Sequence, residues 1–196
     1  MTQQLRASAM MLVLFTVLTG IVYPVVVTLV GQVAFPVQAE GSLMMDGETV
    51  TGSALIGQNV TAPEYFWSRP SATSYGTLPS GASNAGPTSA TLADAVASRA
   101  AMLREAHGLA ADAPVPTDLL FASGSGVDPH ISPDAARFQI DRVADARGFD
   151  AAQRDALAAL VEQNVELPQF GFLGEARVNV LQLNHALDAM TETSQD

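Results

Sequence analysis

An uninterrupted apolar segment near the amino terminus constrains this chain more than any other feature. From Ala9 to Val30 no side chain is charged, and Leu12, Val13, Leu14, Phe15, Val17, Leu18, Ile21, Val22, Val25, Val26, Val27, Leu29 and Val30 make up most of the run. As a helix rising ~1.5 Å per residue, these about 22 residues extend roughly 33 Å, enough to cross a hydrocarbon core of about 30 Å. Pro24 would break such a helix in water, but a bilayer tolerates it as a kink where neighbouring groups re-satisfy the freed carbonyl. The Tyr23-Pro24 pair near the middle is suited to contact with another helix. The run exceeds the ~7–15 residues of a secretory signal core. Val37-Gln38-Ala39 before Glu40 fits a cleavage pattern only loosely and lies beyond a further stretch from Gly31 to Pro36, so an anchor is favoured over a cleaved signal. Either reading sends the remainder across the membrane. Arg6, the only charged side chain before Glu40, holds the amino terminus inside. The expected organisation is a short cytoplasmic N-terminus (1–8), a transmembrane helix (9–30), a linker (31–41) and an extracytoplasmic domain (42–196).

Charge sharpens that division. Twenty Asp and Glu face nine basic residues for a net charge of −11, and all of the carboxylates lie at or beyond Glu40. Every basic residue is arginine. Without lysine there is no P-loop lysine, Schiff-base enzyme, PLP attachment or protein-kinase lysine. Without cysteine there is no thiol catalysis, disulfide, Fe–S cluster or cysteine-ligated zinc. The acidic balance repels phosphates and argues against nucleic acid.

The part beyond residue 40 reads as a mixed α/β or α+β domain without internal repeats. Asp46-Gly47, between Leu43-Met44-Met45 and Glu48-Thr49-Val50, predicts a tight hairpin of type I′, which wants positive φ at both central residues. Ala54 to Gly57 would extend that sheet. Ser68 to Ser89 is rich in Ser, Gly, Pro, Thr and Asn, too long for an ordinary connection. Leu92, Val96, Met102, Leu103 and Ala106 predict a helix capped by Thr91 with Asp94. Ser132-Pro133 predicts an N-cap and first helical residue, with Ala136, Ile140, Val143 and Ala144 on one face and Gly148 as the stop. Asp150 and Gln153 form a capping box before Leu157, Leu160 and Val161. Leu119 to Ala122 and Val178 to Leu181 read as short buried strands, and Asn184 to Met190 as a closing helix.

Few residues invite chemistry. Ser123-Gly124-Ser125-Gly126 followed by Asp128-Pro129-His130 suggests a hydrolase, but a nucleophile elbow needs G-x-S-x-G on a strand-to-helix turn. His130 lies too close along the chain for a triad drawn from separate loops. A glycine turn leading to the Ser132 cap is the better reading, with an anion nest as the remainder. His107, His130 and His185 form no H-x-x-x-H pair, and no calcium-loop spacing occurs. Asp134, Asp141, Asp145, Asp150 and Asp155 have the spacing of solvated helix faces. In Tyr65-Phe66-Trp67-Ser68-Arg69-Pro70 at least one ring is expected in the core, and the others divide between core and interface, where aromatics and Arg are enriched.

Ordered segments along nearly the whole chain resemble one family. They are Thr19 to Pro24; Phe35 to Leu43; Gly52 to Asn59; Tyr65 to Ala72; Ser80-Gly81-Ala82-Ser83-Asn84; Val115 to Gly126; Val178-Asn179-Val180; and Leu183-Asn184-His185-Ala186-Leu187-Asp188. Together they resemble the C subunit of the Kdp potassium-transporting ATPases. Ala82 stands where the family usually has a second Gly, Val60 where an aromatic is common, and His130 falls in a variable stretch and inherits no role.

The resemblance implies a non-catalytic, single-pass accessory subunit of an inner-membrane potassium uptake complex. Its partners would be a channel-like potassium-binding subunit, a P-type ATPase subunit and a small membrane peptide, within a lipid bilayer. It also implies a catalytic chaperone that raises the ATP affinity of the ATPase subunit; ATP and K+ would belong to the partners, with no cofactor or metal bound by this chain. Candidate contact or family-motif residues are Tyr23, Pro24, Tyr65, Phe66, Trp67, Arg69, Pro70, Ser80, Gly81, Ser83, Asn84, Ser123, Gly124, Ser125, Gly126, Asp128, Asn179 and Asn184. Two other classes stay open on the residues alone: a membrane-anchored serine hydrolase using Ser123 or Ser125, and a small-ligand-binding domain.

Overall fold

The computed structural model describes residues 1–193. The chain divides into two compact units, Met1–Ser53 and Ala54–Asp196. In the first, α1 (Thr2–Val17), a π turn (Leu18–Val22) and α2 (Tyr23–Ala34) run on as one helix of 33 residues, long and apolar enough to cross a membrane. The π turn has a local cause. Pro24 carries no N–H, and its ring collides with the carbonyl four residues back, so the turn before it widens. A single turn, α3 (Pro36–Ala39), leads to the hairpin of β1 (Leu43–Asp46) and β2 (Thr49–Ser53).

That hairpin corrects its expected turn. Asp46 pairs with Thr49, so the two loop residues are Gly47 and Glu48 rather than Asp46 and Gly47. Only Gly47 has positive φ, at 58°, so the type I′ pattern is not met. Ala54 to Gly57 does not extend the sheet, because β2 ends at Ser53.

The second unit is α+β. Its elements are α4 (Ala90–Ala106), a 3-10 turn (Thr117–Leu119), β3 (His130–Ile131), α5 (Pro133–Arg147), α6 (Ala151–Gln163), β4 (Val165–Glu166), β5 (Arg177–Asn179) and α7 (Val180–Thr193). The three strands form an antiparallel sheet in the order β3-β5-β4, with Val178 opposite both Ile131 and Val165. This central valine is fully buried, as a residue covered on all sides should be. The core gathers Phe66, Leu103, Leu119, Val143, Leu157, Val161, Leu183 and Leu187. Ala135, Ala136 and Ala144 line the buried face of α5, and such small side chains let neighbouring elements approach closely.

Helix ends follow local chemistry. The Ser132 hydroxyl accepts from Ala135 N–H at 3.1 Å, Gly148 closes α5 with φ 67°, and Asp150 with Gln153 forms the reciprocal capping box. Three expectations change. Ser89, not Thr91, caps α4, accepting from Leu92 N–H. Leu119 to Ala122 is a 3-10 turn and coil instead of a strand, although Leu119 is buried. Strand β5 stops at Asn179, where α7 begins four residues before Asn184 and absorbs Val180 and Leu181. Asn179 explains the switch: its Oδ1 accepts from Gln182 N–H at 3.1 Å, as a helix cap does.

Candidate functional site

The aromatic segment is an extended strap whose backbone is bonded by helix side chains. Phe66 N–H donates to Asn184 Oδ1 at 2.8 Å while Asn184 Nδ2 donates back to Phe66 O at 3.0 Å. Next along, Trp67 N–H donates to Gln139 Oε1 at 2.7 Å, and Gln139 Nε2 returns a bond to Trp67 O at 3.1 Å. Each amide thus imitates one rung of a β-ladder. Two arginines take the carbonyls before them. Arg142 donates to Pro63 O and, at 3.0 Å, to Tyr65 O; Arg147 donates to Glu64 O at 2.8 Å. Each carbonyl from Pro63 to Trp67 has a partner, which a half-buried segment outside regular structure needs where it carries the fully buried Phe66 inward.

Ring contacts finish the strap. Phe66 is fully buried, so one ring enters the core as expected. The Arg142 guanidinium lies 3.9 Å from the Trp67 ring centroid, and Trp67 Nε1 donates to Ala62 O at 2.9 Å. Arg142 is itself buried, and burial pulls its pKa down to about 10 despite the opposing charge of Glu64. His107 completes the cluster. It stands edge-on to Trp67 and 4.4 Å from the Phe138 ring, with Nδ1 2.7 Å from Leu103 O and Nε2 3.4 Å from Arg142 Nε. Burial lowers the His107 pKa, the Leu103 carbonyl and Asp141 oppose that, and the Arg142 charge reinforces it. Tyr65 turns to α7, donating to Asp188 Oδ2 at 3.1 Å, while Asp188 Oδ1 takes Arg147 at 2.7 Å. The Tyr65 pKa is raised by burial and by the Asp188 carboxylate, which outweigh Arg147.

A second knot joins the Ser/Gly segments. Arg69 Nη1 reaches Asp128 Oδ2 at 3.2 Å, and Asp128 Oδ1 accepts from His130 N–H at 3.0 Å. Burial would raise the Asp128 pKa, but the bonds from His130 and the charge of Arg69 overcome it and hold the carboxyl low. Arg69 Nε is buried without a hydrogen-bond partner. Ser71 Oγ donates to Gly126 O at 2.6 Å and accepts from Thr73 and Tyr75 N–H. Gly126, at φ 73°, is held tightly: a Cβ there would lie 2.6 Å from Thr73 Oγ1 and 2.7 Å from Gly81 O.

The hydrolase cluster is built as a turn. Ser123 is buried and its Oγ accepts from Gly126 N–H at 2.9 Å; Ser125 Oγ accepts from Val127 N–H at 3.2 Å. Among the described residues no hydrogen bond joins either serine to His130, whose Nδ1 lies 3.4 Å from Asp128 Oδ1. A cleft of about 480 Å³ opens beside the strap, lined by Asn59, Trp67, Ser71, Tyr75, Arg99 and Met102 among others. Arg99, the cation among its lining residues, donates to Leu120 O at 2.8 Å.

The candidate residues therefore fall into separate groups. Tyr65, Phe66, Trp67 and Asn184 meet in the strap; Arg69, Gly81, Ser123, Gly126 and Asp128 meet in the turn knot, where Pro70 O accepts from Ser123 N–H. Asn179 ties Ala54 O at 2.7 Å. Ser80, Ser83, Asn84 and Gly124 are exposed, and Tyr23 and Pro24 lie on the exposed apolar helix. Sequence reasoning missed Gln139, Arg142, Arg147 and His107. The signal for Gln139 and Arg142 was present: both are polar residues on the apolar stripe of α5, where a long side chain is kept only if bonded.

Comparison with known proteins fits this layout. The family model described as "K+-transporting ATPase, c chain" matches residues 5–189, taking in both the apolar helix and the α+β unit. The "Potassium-transporting ATPase KdpC subunit" of Burkholderia orbicola (strain MC0-3) is 51% identical over 188 residues, 94% of this chain and 95% of its own. The subunit of the same description from Serratia proteamaculans (strain 568) is 49% identical over 189 residues, 95% and 98% of the two chains. That of Geobacter sulfurreducens is 48% identical over 192 residues, 96% and 98% of the two chains. A match of this extent, through anchor, strap and turn knot alike, means that the chain belongs to the KdpC family, the c chain of the potassium-transporting ATPases.

Proposed function

We propose that this chain is the accessory and assembly subunit of an ATP-driven, high-affinity potassium uptake complex, supplying a membrane helix and an extracytoplasmic domain but no reaction centre. The observation that carries this reading is the end-to-end family match, which includes the apolar helix as well as the folded domain. The helix spans the plasma membrane once, with Arg6 on the cytoplasmic side and the acidic domain outside. Its partners are a channel-like potassium-binding subunit, a P-type ATPase subunit and a small membrane peptide. ATP and K+ are handled by those partners.

The rise in ATP affinity that the family resemblance implies is then indirect. A domain outside the membrane does not touch a nucleotide bound in the cytoplasm, and the chain has no lysine to grip phosphates. The effect travels through assembly, by holding the partners in the arrangement that binds nucleotide. The test is an affinity pull-down of the tagged full-length chain from potassium-starved cells in mild detergent, with partners identified by mass spectrometry. Recovery of a P-type ATPase with a large polytopic protein is the expected result. Recovery of the chain alone from cells that express those proteins would overturn the reading.

A further inference from the structure

The connection between β4 and β5 displays apolar side chains that the fold does not use. Leu167 is 78%, Phe170 86%, Phe172 74% and Leu173 50% exposed. No residue from Leu167 to Gly174 is charged. The segment is nevertheless held in one shape. Gln169 and Leu173 exchange both backbone bonds, at 3.0 and 2.9 Å, Gly171 N–H donates to Pro168 O at 2.9 Å, and Phe172 N–H donates to Gln169 O at 3.3 Å. Phe170 keeps a φ of 55°, a region that bulky side chains avoid. At the base, Arg177 and Glu166 form an ion pair at 2.9 Å across the strand pair. The loop is therefore a hydrogen-bonded, exposed, uncharged tip on an acidic domain.

From this geometry we infer that the Leu167–Gly174 tip docks into an apolar recess on the extracytoplasmic surface of a membrane-embedded partner subunit; the inference rests on the accessory-subunit reading above. Three observations select that occupant. A lipid surface is a poor match, because the tip has no Trp, Tyr, Lys or Arg to sit among headgroups, and Glu166 and Glu175 flank it. A second copy of the chain is a poor match too, since each carries a net charge of −11 and two such acidic domains repel one another. Finally, the two phenylalanines present on the order of 300 Å², well under the ~600 Å² that each partner contributes to a free-standing stable interface. So small a contact suits a partner already gathered into the same membrane, where the shared bilayer supplies the effective concentration.

A photo-crosslinking amino acid, p-benzoylphenylalanine, placed at Phe172 in the full-length chain tests this in membranes of potassium-starved cells. The expected product is a light-dependent adduct with a polytopic subunit that co-purifies with the chain. Phe172→Ser combined with Leu173→Ser should lower recovery of that partner several-fold in mild detergent while leaving the unfolding temperature of the chain unchanged. Adducts to lipid, adducts to a second copy, or no adduct would each overturn the docking tip. The same probe at Tyr23 separates the two levels of inference. A partner adduct at Tyr23 with none at Phe172 overturns the tip alone; no adduct at either position and no co-purified ATPase overturns the accessory-subunit reading as well.

Discussion

The strap from Pro63 to Trp67 and the tip from Leu167 to Gly174 are both irregular segments rich in aromatic residues, yet their rings meet opposite fates. In the strap, Phe66 is fully buried and helix side chains take each carbonyl from Pro63 to Trp67. In the tip, the backbone bonds run among Pro168, Gln169, Gly171, Phe172 and Leu173, and Phe170 and Phe172 face outward. The difference lies in what surrounds the main chain. A segment enters the interior only when its N–H and C=O groups find partners there, and α5 and α7 supply Gln139, Arg142, Arg147 and Asn184 for that purpose. Among the described residues no side chain bonds the backbone of the tip in this way, and its rings stay outside however apolar they are. Trp67 and Arg69, which read as candidates for either core or interface, make internal contacts here.

Removing the strap's largest partner should break the contrast most. Arg142→Ala leaves the Pro63 and Tyr65 carbonyls unpaired and strips the cation from Trp67, costing about 3 kcal/mol of unfolding free energy. Urea unfolding of the full chain in detergent, followed through the fluorescence of Trp67, reads it; a loss below ~1 kcal/mol would mean that water replaces the guanidinium without penalty. Asn184→Ala should cost about 2 kcal/mol, because the Phe66 backbone loses both hydrogen bonds of its rung while its ring remains buried. The same unfolding assay compares it with Arg142→Ala.

A smaller effect concerns pH. Folding keeps His107 neutral, with its pKa below the usual 6.5 chiefly through burial. The unfolded chain takes up the proton first as pH falls. The stabilisation is therefore complete above about pH 6.5 and is lost progressively below it, toward the lower folded value. Between about pH 7.5 and about pH 5.5 the full chain should lose more stability than the His107→Gln variant does. Parallel declines would show that another group carries the acid sensitivity. Smallest of all, Phe172→Ser should change stability by no more than about 0.5 kcal/mol, since an exposed ring contributes little to the folded state. A larger loss would show that the tip packs against the domain and would erase its contrast with the strap.

Much of the molecule was legible before any coordinates. The apolar run becomes a 33-residue helix, and the Ser132 cap, the Gly148 stop and the Asp150–Gln153 box stand where local chemistry put them. These features depend on residues within a turn or two of one another, so sequence spacing carries the whole argument. The errors arose where two spacings competed. Thr91 and Asp94 resembled a cap, but Ser89 lies two residues nearer the extended chain and takes Leu92. Leu119 and Leu120 resembled a strand, yet Leu119 ends a 3-10 turn and is buried there, while Leu120 caps that turn and is only partly buried.

By itself, then, the sequence determined the membrane helix, the capped helices, the acidic arginine-only charge balance and, through ordered resemblance, the family. Only the tertiary structure decided which aromatics are core and which are surface. It also decided that Arg69 meets Asp128 across 59 positions and that Asn184 reaches Phe66 across 118. The physical reason is the range of the interactions. A cap or an apolar stripe is satisfied by neighbours in the chain, whereas a buried backbone group accepts whichever distant side chain the packed helices bring within about 3 Å.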